Sequence, residues 1–291
     1  MFYAKNNLRL TRINKRSIMI ENYLIRTMAM NKIIFFDIDG TIVTETSPSV
    51  IPESTVSAVR KTRENGNLTF INTGRTAFNV SKRIKEIGFD GYLCGCGTYI
   101  EYAGEVLLYS TRSRRLSAQT RDIIRRCNAI PLYERRDTAF FDSESRTCDE
   151  CERFRQSFAK KGVDVTQSID VEEFNFDKFV IWTDDDTDIN RLMDFLNNHF
   201  SVIDRGNGFF EIVPKEFSKA TAIEMMLNEL AIPYENAFAI GDSTNDLPML
   251  KAVPNSIGMG AADAIKNDVS FVTKNIEDNG IEFALKHFKL I

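Results

Sequence analysis

Asp37 and Asp39 stand one residue apart in Asp37-Ile38-Asp39-Gly40-Thr41, directly behind the short run Lys32–Phe36, KIIFF. A second acidic run, Gly241-Asp242-Ser243-Thr244-Asn245-Asp246, follows an equally short apolar stretch, Ala237–Ile240. Asp and Gly are ordinary residues at a strand exit, but neighbouring carboxylates repel and call for a further reason. In a parallel α/β sheet, ligands bind beyond the carboxyl ends of the strands. If both runs leave strands of one such sheet, Asp37, Asp39, Asp242 and Asp246 meet at one edge. Such a cluster cannot stay dry and unpaired, and a hard divalent cation resolves it. All the candidate ligands are oxygens, and the two histidines, His199 and His287, fall in expected helices away from the acids. Oxygen-only ligation by a few carboxylates points to Mg2+ rather than Zn2+.

Two more polar clusters have a chemical reading. Lys219 opens an expected helix in SKATAI, where a cation opposes the macrodipole. It is either a solvated surface lysine or a point charge that holds a phosphate and balances the aspartates. Asn72-Thr73-Gly74-Arg75 follows the apolar stretch Leu68–Ile71 and precedes an expected helix. The Thr73 hydroxyl and the free amides around Gly74 can cradle a phosphate, and Thr73 can equally cap the helix.

The elements that must position these residues alternate at the start of the chain. Strands are expected at Lys32–Phe36, Leu68–Ile71 and Tyr92–Cys94, with helices from Pro52 to Gly66 and from Thr76 to Gly88 between them. Alternation of this kind signals a parallel α/β sheet. From about residue 108 to 205 the pattern changes. Strands at Leu132–Asp142 and Phe179–Thr183 mix with helices at Cys148–Lys161 and Thr187–His199, as in a separate α+β layer. Alternation then resumes with a strand at Phe209–Val213 and a helix from Ser218 to Leu230. Strands at Ala237–Ile240, Ser256–Ile257 and Ser270–Val272 and a closing helix at Gly280–Phe288 follow. The expected fold class is α/β: a Rossmann-like parallel-sheet core, residues 30–107 and 206–291, interrupted by an inserted α+β domain, residues 108–205.

DIDGT, NTGR, SKATAI and GDSTNDLPML, in that order, resemble the four motifs of the haloacid dehalogenase-like superfamily. The likeness runs from Met30 to about Phe288 and fits the Cof-type phosphatases best. Too few positions separate Thr41 from Thr73 for a cap there, whereas the stretch between Thr73 and Lys219 is long enough for one. The resemblance implies an Mg2+-dependent phosphatase acting on a small-molecule phosphate ester. It implies Asp37 as nucleophile and Asp39 as general acid and base. Thr73, Gly74, Lys219 and Asn245 would hold the phosphoryl group. Asp37, the carbonyl of Asp39 and Asp242 would bind the metal, with Asp246 behind them. Arg135, Arg136, Arg205 and Asn207 are candidates for reaching the leaving group, with solvated surface as the alternative for each. A phosphomutase of similar fold, phosphomannomutase-like, would use the same aspartates. A catalytically idle metal-binding sensor would keep the site without turnover.

Composition narrows the partners. Of 291 residues, 43% are hydrophobic, ample for a packed core, and the net charge of −4 offers no basic field for nucleic acid or an anionic membrane. No stretch approaches the ~20 continuous apolar residues of a membrane span. Five cysteines, with no secretory signal, argue for reduced thiols in a cytoplasmic setting. Cys148 and Cys151 have C-x-x-C spacing, but Cys94 and Cys96 are too close for the usual four-thiolate zinc site. Residues 1–29 are basic and lack a long apolar region, so they read as an upstream extension before the domain that Met30 opens.

Overall fold

A strand that alternates large apolar side chains on both faces belongs in the middle of a covered sheet. The strand β1 (Ile33–Phe36) is completely buried, with Ile33 and Phe35 in one apolar cluster and Ile34 and Phe36 in another. The computed structural model describes residues 32–260 and 262–291, so the expected extension at 1–29 lies outside the described residues.

After β1 come α1 (Glu53–Glu64), β2 (Leu68–Asn72), the single turn α2 (Lys82–Lys85), β3 (Gly91–Cys94), β4 (Tyr99–Tyr102) and β5 (Glu105–Tyr109). The chain then builds a second layer from α3 (Arg114–Arg126), β6 (Ile130–Arg135), β7 (Thr138–Phe141), α4 (Asp149–Lys160), β8 (Lys178–Trp182), α5 (Ile189–His199), β9 (Phe200–Asp204) and β10 (Phe209–Pro214). It returns through α6 (Lys219–Glu229), β11 (Ala237–Gly241), α7 (Leu247–Lys251), β12 (Asn255–Gly258), β13 (Phe271–Val272) and α8 (Gly280–His287).

The first sheet runs β13-β12-β11-β1-β2-β3-β4-β5, parallel from β13 through β3 and finished by an antiparallel hairpin. α1 and α8 cover one face with Ala58, Val59, Ala284 and Leu285. α6 and α7 cover the other with Ile223, Met226, Met249 and Leu250. This is the expected doubly covered α/β core. The second sheet, β7-β6-β8-β10-β9, is antiparallel throughout. α3 and α5 pack on one face, and α4 packs on the other through Cys151 and Phe158. The chain passes between the sheets at 110–113 and 215–218, where Arg112 Nη1 donates to Glu216 Oε1 at 2.6 Å.

Several expected boundaries shift. The core segment expected to begin at 206 opens inside the second sheet, because β10 pairs with both β8 and β9. Residue 205 is followed by a hairpin turn in which Gly206, Asn207 and Gly208 all have positive φ. Leu132–Asp142 is a hairpin rather than one strand. It folds at Arg136, whose N–H donates to Asp177 Oδ2 at 2.6 Å, a turn that needs no Gly or Pro. The helix expected at Thr76–Gly88 breaks into a 3₁₀ turn at Ala77–Asn79 and α2, with Val80 extended between them. Phe78 N–H there donates to the Arg136 carbonyl of the second sheet at 2.9 Å, so the segment spends its backbone outward. The C-x-x-C spacing serves α4 locally, since the Cys151 N–H meets Cys148 Sγ at the helix start. All five cysteines are free.

Candidate active site

Asp37 sits one step beyond β1, and its N–H donates to the Ile240 carbonyl of β11 at 3.0 Å. β1 and β11 are parallel neighbours, so the two acidic runs leave the sheet side by side. Gly40 has φ +75°, and a Cβ there would collide with the Asp242 carboxylate. Only glycine permits both the left-handed turn and this approach. Thr41 Oγ1 donates to Asp242 Oδ1 at 3.0 Å. Asp246 accepts the N–H groups of Asp242 and Ser243 on Oδ2, at 3.0 and 3.2 Å.

Lys219 occupies the first turn of α6, which Ser218 and Thr221 cap reciprocally. Its ammonium reaches Asp37 Oδ1 at 2.7 Å and Asp246 Oδ1 at 2.5 Å, and its carbonyl accepts Asn72 Nδ2 at 2.9 Å. At 3% exposure it is no surface lysine. Burial works against its charge, but Asp246 and Asp37 outweigh that and raise its pKa. Carboxylate oxygens of Asp37, Asp242 and Asp246 lie within 4.8 Å of one another. Burial and Asp246 push Asp37 up to about 8, against the pull of Lys219, and the same two causes push Asp242 up to about 7. The rise reports burial first and the crowding of acids around one ammonium second.

Of the four expected acids, three therefore close into one group. Asp39 does not join them. It stands half-exposed at the rim and takes a two-pronged contact from Arg75, whose Nε lies 2.9 Å from Oδ2. Thr73 is buried, and its Oγ1 accepts the Arg75 N–H at 3.1 Å, so it shapes a loop and caps no helix. Asn245 lies in the 3₁₀ turn Thr244–Asp246, and its Oδ1 accepts from Ser243 Oγ. Asp37, Asp39, Thr73, Gly74, Asp242 and Asn245 line one cavity of about 420 Å³, above which the second sheet contributes its own wall.

That wall contains residues that the motif reading missed. Leu132, Glu134, Lys178, Val180, Phe209 and Glu211 come from alternate positions on β6, β8 and β10. Phe154, Ser157, Phe158, Lys161 and Arg205 complete it. The available signal was a charge inside an apolar strand: Lys178 before FVIW, and Glu211 between FF and IV. Arg75 could have been found as the cation ending NTGR. Of the four cap residues expected to reach the site, Arg205 lines the cavity. Arg135 pairs with Asp137, Arg136 lies over the Tyr109 ring, and Asn207 sits in an exposed turn.

The family model for haloacid dehalogenase-like hydrolases matches residues 34–285. A putative phosphatase of Bacillus subtilis, YkrA, is 25% identical over 268 residues, spanning 90% of this chain and 99% of the relative. YwtE of the same organism, named as a 5-amino-6-(5-phospho-D-ribitylamino)uracil phosphatase, is 23% identical over 277 residues, covering 87% and 96%. A solved phosphatase of this superfamily from Bacteroides thetaiotaomicron superposes with a TM-score of 0.76 at 23% identity, covering 90% and 97%. The chain belongs to the haloacid dehalogenase-like hydrolase family. Within that family it is a Cof-type phosphomonoester hydrolase. No helix among the described residues is long and apolar enough to cross a membrane.

Proposed function

We propose that this chain is a magnesium-dependent phosphatase that frees inorganic phosphate from a small phosphorylated metabolite through an aspartyl-phosphate on Asp37. The observation that carries the reading is the buried bridge of Lys219 between Asp37 and Asp246, beneath a cavity shared by both acidic runs. Phosphoryl transfer depends on in-line placement and on neutralising the equatorial oxygens. Thr73, the amides around Gly74, Asn245 and the Lys219 ammonium meet that need. A carboxylate oxygen of Asp37 attacks phosphorus as the ester oxygen leaves, and Asp39 gives that oxygen a proton. Asp39 then takes a proton from the water that attacks the aspartyl-phosphate, and phosphate departs with Asp37 restored.

The donor set fits a hard cation. Three carboxylates face one ammonium, no His or Cys joins the group, and Gly40 leaves the Asp242 carboxylate unobstructed. Asp37, Asp242 and the carbonyl of Asp39 would hold Mg2+, with Asp246 fixed behind them by Lys219 and two amides. When bound, the ion offsets charge between Asp37 and the incoming phosphate dianion. The cavity lies at the small end of ligand sites, which run from about 300 to 1,000 Å³. Phe154 and Phe209 offer it apolar surface, and Lys161 and Arg205 offer cations.

The test is phosphate release from a panel of sugar, nucleotide and vitamin phosphates with Mg2+ present, for the parent and for Asp37→Asn and Asp39→Asn. Both variants are expected to fold and to lose turnover. Near-parental release by either would overturn the assigned roles. Phosphate that is retained on the organic product instead of released would favour the mutase.

A further inference from the structure

Lys178 opens β8 in the second sheet, yet its ammonium reaches the turn that follows β2 of the first. The ammonium donates to the Gly74 carbonyl at 3.0 Å, contacts Glu211 directly and lies 3.6 Å from Glu134 Oε1. Lysine has three donors and no acceptor. Two are spent on Gly74 and Glu211, Glu134 adds a longer ion pair, and the residue is 3% exposed, so its role is within the protein. The two acids are tied to the core as well: Thr76 Oγ1 donates to Glu134 Oε2 at 3.1 Å, and Cys96 Sγ meets Glu211 Oε1 at 3.4 Å. Three adjacent strands of the second sheet thus each send one buried charge to the turn that carries Thr73.

The backbone of that turn shows what the contact does. The Thr73 carbonyl accepts from Cys96 N–H at 3.1 Å, and the Arg75 carbonyl accepts from Gly95 N–H at 2.8 Å. The carbonyl between them, on Gly74, is held by the Lys178 ammonium. Gly74 has no room for a side chain, since a Cβ would come within 2.8 Å of Glu211 Oε1. The peptide that Lys178 grips also carries the Arg75 N–H, which donates to Thr73 Oγ1. A hydroxyl that accepts there is left to donate its own proton elsewhere.

We propose that Lys178 is a positioning residue for the catalytic centre: by holding the Gly74 carbonyl it fixes the peptide that aims the Thr73 hydroxyl at the phosphate and seats Arg75 against Asp39. The inference rests on the phosphatase reading above and extends it, because part of the phosphate turn's shape is supplied by the other sheet. Glu134 and Glu211 keep the ammonium charged and in place.

The experiment compares the Mg2+-loaded parent with Lys178→Met, Lys178→Arg and the double variant Lys178→Met/Glu211→Leu. It measures kcat and KM with p-nitrophenyl phosphate, inhibition by inorganic phosphate, and thermal unfolding. The double variant removes Lys178 together with its nearest acid and leaves Glu134 with the Thr76 hydroxyl, so it is expected to melt below the parent but above Lys178→Met. Its kcat/KM is expected to fall about 100-fold, the scale of a misplaced binding group, with phosphate inhibition weakened about 10-fold. Lys178→Arg, which keeps a cationic donor, is expected to recover most of that loss. If Lys178→Met alone does not fold, the double variant carries the comparison. A double variant with parental kcat/KM and parental phosphate inhibition would show that the pair only stabilises the fold, and would overturn the inference. A parent that releases no phosphate from any ester would remove the phosphatase reading and this inference with it.

Discussion

Asp242→Asn is expected to stabilise the metal-free protein above neutral pH while abolishing its response to Mg2+. Asparagine keeps the oxygen that accepts from Thr41 and removes only the charge. Burial and Asp246 raise the Asp242 carboxyl from 3.8 to about 7. The folded state thus binds this proton more tightly than the unfolded state does. The stability it contributes is full below 3.8 and is lost as pH rises through about 7. Each tenfold change in proton affinity is worth about 1.4 kcal/mol, so full ionisation costs the fold roughly 4 kcal/mol at most. Asp242 is partly open to the cavity, and water screens some of this, leaving about 2 kcal/mol. At pH 8 in chelator, the variant should therefore melt about 4–8 °C above the parent. At pH 4 the two should nearly coincide. Added Mg2+ should raise the parent's melting point by mass action and leave the variant's almost unmoved. Differential scanning calorimetry at the two pH values, with and without the ion, reads all four conditions. A variant less stable than the parent at pH 8 in chelator, or one that Mg2+ stabilises equally, would refute the charge argument.

Gly40→Ala should cost at least 100-fold in phosphate release, because the new methyl group meets the Asp242 carboxylate and the backbone holds φ +75°. Wild-type turnover with a normal melting curve would contradict the close approach. Asp142→Asn should destabilise the second sheet by about 1–2 kcal/mol, since the buried carboxylate takes two prongs from Arg125, at 2.8 and 2.7 Å, while the guanidinium keeps its contacts with Asp170 when Asp142 is neutralised. Burial opposes ionisation of Asp142, but Arg125 prevails and lowers its pKa, so the penalty should fade as the parent is acidified through that lowered value. Urea unfolding at pH 7 and at pH 3 would show whether the gap narrows.

The core was legible because its strands announce themselves. KIIFF and AFAI are apolar on both faces, and each ends in acids, so the adjacency of β1 and β11 brings Asp37 and Asp242 together as expected. Lys219 was ambiguous in sequence, and packing decides it: α6 lies against the sheet and buries the residue that its first turn presents. Other features had little local signal. The Arg136 turn is closed by Asp177, 41 residues along, and its one local mark is Asp137, with no Gly or Pro beside it. β10 reads as a strand, but nothing within FFEIVP says which sheet it joins; its pairing with Trp182 and Asp204 across Gly206–Gly208 does. Asp39 was grouped with the other acids by spacing alone, whereas Arg75 draws it to the rim. Charges that serve tertiary contacts, such as Lys178 and Glu211, look like interruptions in a strand until the facing turn is in view.

The double passage of the chain between its sheets has a mechanical consequence. The connections at 110–113 and 215–218 lie together, and Arg112 clasps Glu216 across them while its guanidinium faces the Phe217 ring. The two crossings are not the sole ties, because Lys178 on the Gly74 carbonyl, Thr76 on Glu134 and the Phe78 N–H on the Arg136 carbonyl join the same two layers elsewhere. Turning one layer about the line through the crossings therefore means unfastening a buried charge cluster, which makes the closed arrangement a latch as well as a hinge.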